Sequence, residues 1–311
     1  YPIPNARVAT FVPYAMYAMP PHTVKRQSPE TWTIFADGES QRTDHYELSP
    51  RNTLKTEDCE LNIGPLTIEL SGVTEQEIPV NSRLFLDHKP ATKEADRYYT
   101  FYFVNRLPLP SNDWQAIFRR NDIVIFRKEE RETRLLAIGN LNACYALYQE
   151  KDERNADIYF IEGLKRELQT DTLFISCLCL ERPLSARGCY ILHCAFLDYR
   201  GQAILFSGPS GIGKSTHAAL WCRHIPDTRV LNGDRALLCP VPNGGYEITG
   251  WPVCGSSGIC HNERHPLKTI VFIEQAPDNA IRPQTVLKHF KALCSQVTIC
   301  LLYTSPSPRD S

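Results

Sequence analysis

The sequence predicts an α/β fold, with a mixed sheet and helices in the C-terminal half preceded by a β-rich N-terminal module. Three observations predict it. Short apolar runs bounded by Pro and Asn/Asp clusters recur from Leu61 to Phe126. Two longer apolar runs, 189–197 and 202–206, are joined by the short turn 198–201. Directly after the second run comes Gly208-Pro-Ser-Gly-Ile-Gly-Lys-Ser215, followed by helix-forming residues. That string satisfies GxxxxGK[ST], the pattern of a phosphate-binding loop between a strand and a helix, so the C-terminal half is expected to be a P-loop nucleotide-binding domain.

The 311 residues suit two domains of about 150 each. With 34 Lys+Arg against 35 Asp+Glu the net charge is -1, and no global field draws the chain to nucleic acid or an anionic membrane. Mean hydropathy is -0.31, and no uncharged apolar run approaches the roughly 18 residues of a membrane span. A cytoplasmic location is expected. The 12 cysteines do not follow a disulfide framework and are expected to be reduced. Cys254, Cys260, His261 and His265 make a poor zinc set, because Cys260 and His261 are adjacent and no C-x-x-C pair occurs.

Residues 1–55 are expected to be largely irregular, with one short strand at Trp32–Phe35. Residues 56–165 form the β-rich module, with strands at Leu66–Leu70, Tyr98–Val104 and Ile123–Phe126. Alternation in Tyr98–Val104 predicts a half-buried antiparallel strand. Leu135–Ile138 and Asp157–Ile161 either continue the sheet or lead into the next domain. Residues 166–299 form the P-loop domain. It opens with a helix patterned on Leu173, Cys177 and Leu180 after an Asp171 cap, broken by Pro183 and Gly188. Residues 300–311 resemble the conceptual translation of a transposon-type sequencing-library adapter and are expected to be foreign to the protein.

In the loop itself, the glycines among Gly208, Pro209, Ser210, Gly211, Ile212 and Gly213 let backbone N–H groups wrap a polyphosphate at a helix N-terminus. Lys214 is expected on the β/γ-phosphates of ATP and Ser215, followed by Thr216, on Mg2+. The preceding hairpin gives the loop-bearing strand an antiparallel neighbour, which points away from transporters, GTPases and small-metabolite kinases.

From about Cys189 to Gln275 the chain resembles the catalytic domain of HPr kinase/phosphorylase and, more closely, HPr-kinase-related proteins. Phosphoenolpyruvate carboxykinases share that fold but are longer and carry further metal ligands. The resemblance is carried by Leu192-His193, Ser207–Thr216, Asn232-Gly-Asp-Arg235 and Gly250-Trp-Pro-Val-Cys-Gly-Ser-Ser-Gly258. It implies a Mg-ATP-dependent kinase acting on a hydroxyl, expected to be a serine of a protein, peptide or small molecule. His193 is then placed near the reacting phosphate; read from its own neighbours, it is a buried strand histidine. The family's Asp-Asp pair aligns with Gly233 and Asp234, leaving one carboxylate as base and metal partner. A shift by one would put Arg235 there, and as a residue after glycine Asp234 also reads as a plain turn residue. Glu247 is a second metal carboxylate or a solvated strand residue. Gly255–Gly258 is an acceptor-facing loop or an ordinary surface loop, and Asn262, Glu263 and Arg264 line the same cleft or are solvated. The missing carboxylate keeps two other readings open, a nucleotide-binding scaffold without transfer activity and an ATPase. The acceptor is not identified, and a homo-oligomer stays open.

Overall fold

The computed structural model describes residues 8–11, 58–88, 94–277 and 280–298. The strand expected at Trp32–Phe35 and the segment 300–311 lie outside the described residues. Within the stretch expected to be largely irregular, Val8–Phe11 forms strand β1, which pairs with Val271–Glu274.

Eight strands build the N-terminal sheet: β2 (Cys59–Ile63), β3 (Leu66–Ser71), β4 (Arg97–Val104), β5 (Gln115–Arg120), β6 (Ile123–Lys128), β7 (Arg131–Ala137), β8 (Cys144–Glu150) and β9 (Asn155–Ile161). Their order is β2-β3-β4-β9-β8-β7-β6-β5. β5 to β9 are an antiparallel meander. β4 alternates in burial over its first residues, but it is parallel to both neighbours rather than antiparallel. Alternation reports which face is buried; direction is set by the connection. Here that is a crossover from β3 carrying the 3-10 turns Glu75–Glu77 and Ser82–Phe85.

After β9, a 3-10 segment (Glu162–Gln169) leads into α1 (Asp171–Leu178) and α2 (Glu181–Ser185). The first helix stops where Cys179 turns left-handed, at φ 48°, and Pro183 sits inside the short second helix. Asp171 accepts hydrogen bonds from the backbone N–H and hydroxyl of Ser82, both at 2.7 Å, instead of capping its own helix. α2 is tied to the sheet by charge. Glu132, fully buried, meets Arg134 at 3.0 Å and Arg127 at 3.4 Å. Arg182 binds Glu150 at 2.6 Å, and Arg134 reaches Glu181 at 3.1 Å.

The second sheet contains β1, β10 (Tyr190–Tyr199), β11 (Gln202–Ser207), β12 (Thr228–Asn232), β13 (Arg235–Pro240), β14 (Tyr246–Thr249), β15 (Arg264–Glu274) and β16 (Val297–Thr298). β15 pairs with β14 through Arg264–Pro266 and with β11 through Leu267–Phe272. The path β15-β11-β10-β13-β14 therefore returns to β15 and closes a ring. α3 (Lys214–His224) and α4 (Val286–Gln296) follow β11 and β15 respectively.

The two sheets share a core, in which Leu61, Ile63, Phe101 and Phe174 cluster with Ile191, Leu237 and Trp251. Each such side chain contributes about 1.5–3 kcal/mol on full burial. The tip of the β2–β3 hairpin is Gly64, at φ 59°, and a methyl group on it would collide with Leu237. Glycine is required there both for the turn and for the close approach.

Candidate functional site

The site is built on the β10–β11 hairpin. Its strands pair from Cys194↔Ser207 to Tyr199↔Gln202, leaving Arg200 and Gly201 as a two-residue turn with φ 53° and 78°, as tight hairpins require. β11 is antiparallel to β10 on one side and parallel to β15 on the other. At its end the chain enters the loop Gly208–Gly213 and then α3. Gly208, Gly211 and Gly213 have φ of 145°, 74° and 104°, values that L side chains rarely adopt. Nothing lies within 4 Å of a methyl group built on Gly211, whereas one on Gly208 would press on the Ile273 carbonyl. The loop is thus seated on β15 at its start and open over its middle, where Pro209, Ser210 and Gly211 are exposed.

Lys214 is 6% exposed. Its ammonium donates to the carbonyls of Gly208 and Pro209, both at 3.1 Å, curling back over the loop. Burial lowers its pKa, against the pull of Asp234. Ser215 donates to the Gly233 carbonyl at 3.3 Å, and Thr216 beside it is exposed.

Opposite the loop stands Asp234, between β12 and β13. Fully buried Asn232 shapes this turn. Its side-chain oxygen accepts from the N–H groups of Asp234 (2.9 Å) and Arg235 (3.0 Å), and its amide donates to the carbonyls of Trp251 (2.8 Å) and Val253 (3.2 Å). Asp234 Oδ1 lies 3.6 Å from His193 Nε2, and Arg235 Nε donates to Oδ2 at 3.2 Å. His193 Nδ1 is 3.1 Å from Gln296 Oε1, which α4 brings in. In a neutral ring one of these nitrogens carries the proton and the other a lone pair. Burial, followed by the Lys214 charge, lowers the His193 pKa and favours that neutral form.

His193, Lys214, Ser215 and Asp234 are therefore brought together around the glycine loop. Glu247 is not. It faces Cys239 and Pro266 on β14, toward the end of β13 remote from Asp234, and pairs with Arg264 at 2.8 Å. Asn262 and Glu263 are also engaged elsewhere, Asn262 donating to the Leu84 carbonyl at 3.0 Å and Glu263 pairing with Arg229 and, at 3.3 Å, His265. Cys254 accepts from Asn81 at 3.3 Å, and the Cys260 thiol donates to the Trp251 carbonyl at 3.4 Å. Among the described residues no group of three or more His, Cys, Asp or Glu is arranged to hold a metal ion.

Asn232, which the resemblance takes in only as part of the string Asn232–Arg235, and Gln296 are the site residues given no role by the sequence. Asn232 carried a signal, an asparagine two residues before an aspartate, which is an Asx-turn pattern. Gln296 carried none, since its position depends on how α4 packs.

Residues 164–297 match the family model of the SynChlorMet cassette protein ScmC. The match takes in the whole site, from His193 to Gln296, but less than half of the chain, and the description names a cassette rather than an activity. No curated protein matches the chain. Among the described residues no helix is long and apolar enough to cross a membrane.

Proposed function

We propose that the chain is a Mg-ATP-dependent phosphotransferase of the HPr kinase-like type, with a P-loop fold, acting on a hydroxyl of a serine-containing protein, peptide or small molecule. The observation that carries this reading is Lys214, a buried cation that follows the glycine loop and whose hydrogen bonds among the described residues go to the carbonyls of Gly208 and Pro209 in that loop. A buried ammonium without an anion against it is costly, and a polyphosphate in the open loop supplies that anion.

The residues fit such a ligand. Glycines with positive φ leave the space over Gly211 open, and the start of α3 offers N–H groups to phosphate oxygens. Lys214 would hold the β/γ-phosphates and Ser215 with Asp234 the magnesium ion, which neutralises phosphate charge when bound. Asp234 accepts the proton of the acceptor hydroxyl as its oxygen bonds to phosphorus. His193 Nε2, 3.6 Å from the same carboxylate, lies within reach of that proton, and Gln296 holds the ring. The cytoplasm, where ATP and reduced thiols occur together, is the compartment this reading calls for.

Calorimetry with ATP and magnesium is the test. Wild-type protein is expected to bind and Lys214→Ala to bind at least about tenfold more weakly, since a charge-assisted contact to phosphate is lost. Equal affinities would remove the nucleotide from this loop. A scaffold without transfer activity is favoured by Gly233, where no second carboxylate stands; ATP binding without transfer to any hydroxyl would select it.

A further inference from the structure

The loop Gly255–Gly258 is pressed onto the residues that bracket the candidate base. A methyl group built on Gly255 would come within 2.9 Å of Asp234 Cγ. Two residues on, Ser257 fills the space beside Gly233, so that a methyl group on Gly233 would overlap both Cβ and Oγ of Ser257. The Gly233 carbonyl in turn accepts the Ser215 hydroxyl. A serine hydroxyl of the chain itself thus stands beside the turn that carries Asp234 and whose Gly233 carbonyl meets the start of α3.

The Ser257 hydroxyl donates to the Cys254 carbonyl at 2.6 Å and accepts from Ile259 N–H at 3.2 Å. Both partners belong to its own loop, so the hydroxyl can turn toward Asp234 without breaking a bond to the strands. Gly255 and Gly258 flank it with φ of 57° and 65°, conformations that glycine leaves at little cost. Small residues, a half-buried hydroxyl and a carboxylate at the loop's foot are what an acceptor segment presents to a base.

We infer that Ser257 is a phosphorylation site that the chain fills itself, with a nucleoside triphosphate as donor; this rests on the transfer reading above. Ser257 Oγ attacks the γ-phosphorus, and the Oγ–P bond forms as the bond from that phosphorus to the β–γ bridging oxygen breaks. The electron pair leaves with the nucleoside diphosphate, and the hydroxyl proton passes to the Asp234 carboxylate. The product carries about -1.5 to -2 charges next to Asp234.

The experiment uses phosphatase-treated full chain, ATP labelled at the γ-phosphate, and magnesium, read by intact mass and peptide mapping. One phosphoryl group is expected on Ser257, at a rate independent of protein concentration. Ser257→Ala should lose it and Ser256→Ala keep it. Without nucleotide, Gly233→Ala should displace Ser257 and raise amide exchange across residues 254–260. Label confined to Ser256 overturns the inference, as does unchanged exchange in Gly233→Ala. If the chain binds ATP and transfers or releases its γ-phosphate while Ser257 stays unmodified, the inference falls and the reading of the site stands. If ATP does not bind, both fall.

Discussion

Two cations are buried to the same degree, Arg97 in the N-terminal sheet and Lys214 at the start of α3, each 6% exposed. Arg97 donates to the Tyr148 hydroxyl at 3.0 Å and lies 3.7 Å from Glu150. Burial alone would lower its pKa, but Tyr99, Tyr148 and Glu150 outweigh burial and raise it. For Lys214 burial wins and the pKa falls. The cavity of about 710 Å3 beside Arg97 repeats the first pattern, since Arg182 and Arg187 on its wall pair with Glu150 and Asp96. The Arg97 charge is met by a carboxylate and hydroxyls of its own sheet, whereas the Lys214 ammonium is met by two loop carbonyls and only the weaker pull of Asp234.

That contrast can be broken by substitution. The largest effect is expected from Asp234→Asn, which should slow single-turnover transfer by about 10²–10⁴-fold, the usual worth of a general base. ATP affinity measured on the same preparation should stay within a fewfold of wild type. A matching fall in affinity would make Asp234 chiefly a metal ligand.

Next comes Glu132→Ala in the N-terminal sheet, which leaves Arg134 buried without its nearest carboxylate. Urea unfolding should show a loss of about 3–5 kcal/mol. A loss below about 1 kcal/mol would mean that the buried ion pairs of this module are not coupled to its stability.

Lys214→Met should act in the opposite sense. It removes a buried charge that has no carboxylate partner within ion-pair distance among the described residues and keeps the aliphatic volume, so the unfolding free energy should hold or rise by up to about 1 kcal/mol. Destabilisation by more than this would place Lys214 with Arg97 as a structural cation.

The smallest effect is on pH dependence. In the fold the His193 pKa is lowered, by burial first and then by Lys214, with Asp234, Gln296 and Arg235 the other groups facing it. The unfolded chain therefore takes up its proton first as pH falls. The stabilisation is complete above the unfolded value of about 6.5 and is lost as pH drops through it toward the folded one. His193→Gln should flatten the stability profile between about pH 7.5 and 5; an unchanged profile would show that the ring titrates as in the unfolded chain.

The glycine loop and the hairpin beneath it were legible in the sequence because both are local: a spacing of glycines, a lysine and a serine, and two apolar runs about a turn. What depends on register was not. Glu247 is near in sequence but falls opposite Cys239, at the far end of β13. Nothing in the sequence marks Glu132 and Arg134 as buried, and only the packing of α2 against β7 and β8 shows that they are. The need for glycine at 233 is likewise invisible until Ser257 is placed beside it. β4 shows the same limit, its alternation giving the faces but not the direction of its neighbours.

The pairing of β1 with the end of β15 bears on how the chain is made. On a ribosome Val8–Phe11 emerges about 260 residues ahead of its partners Val271–Glu274. The β2–β9 sheet lies wholly between and can collapse as soon as residue 161 is out, as N-terminal units do during synthesis. The ring that carries the glycine loop cannot close until β15 arrives, since β15 pairs with both β11 and β14. Pairing over such a separation carries a high loop-closure cost and is slow. The nascent chain therefore has a stable half waiting on an unfinished one, and a stall before residue 264 leaves β11 and β14 as open edges, ready to join another molecule's strand.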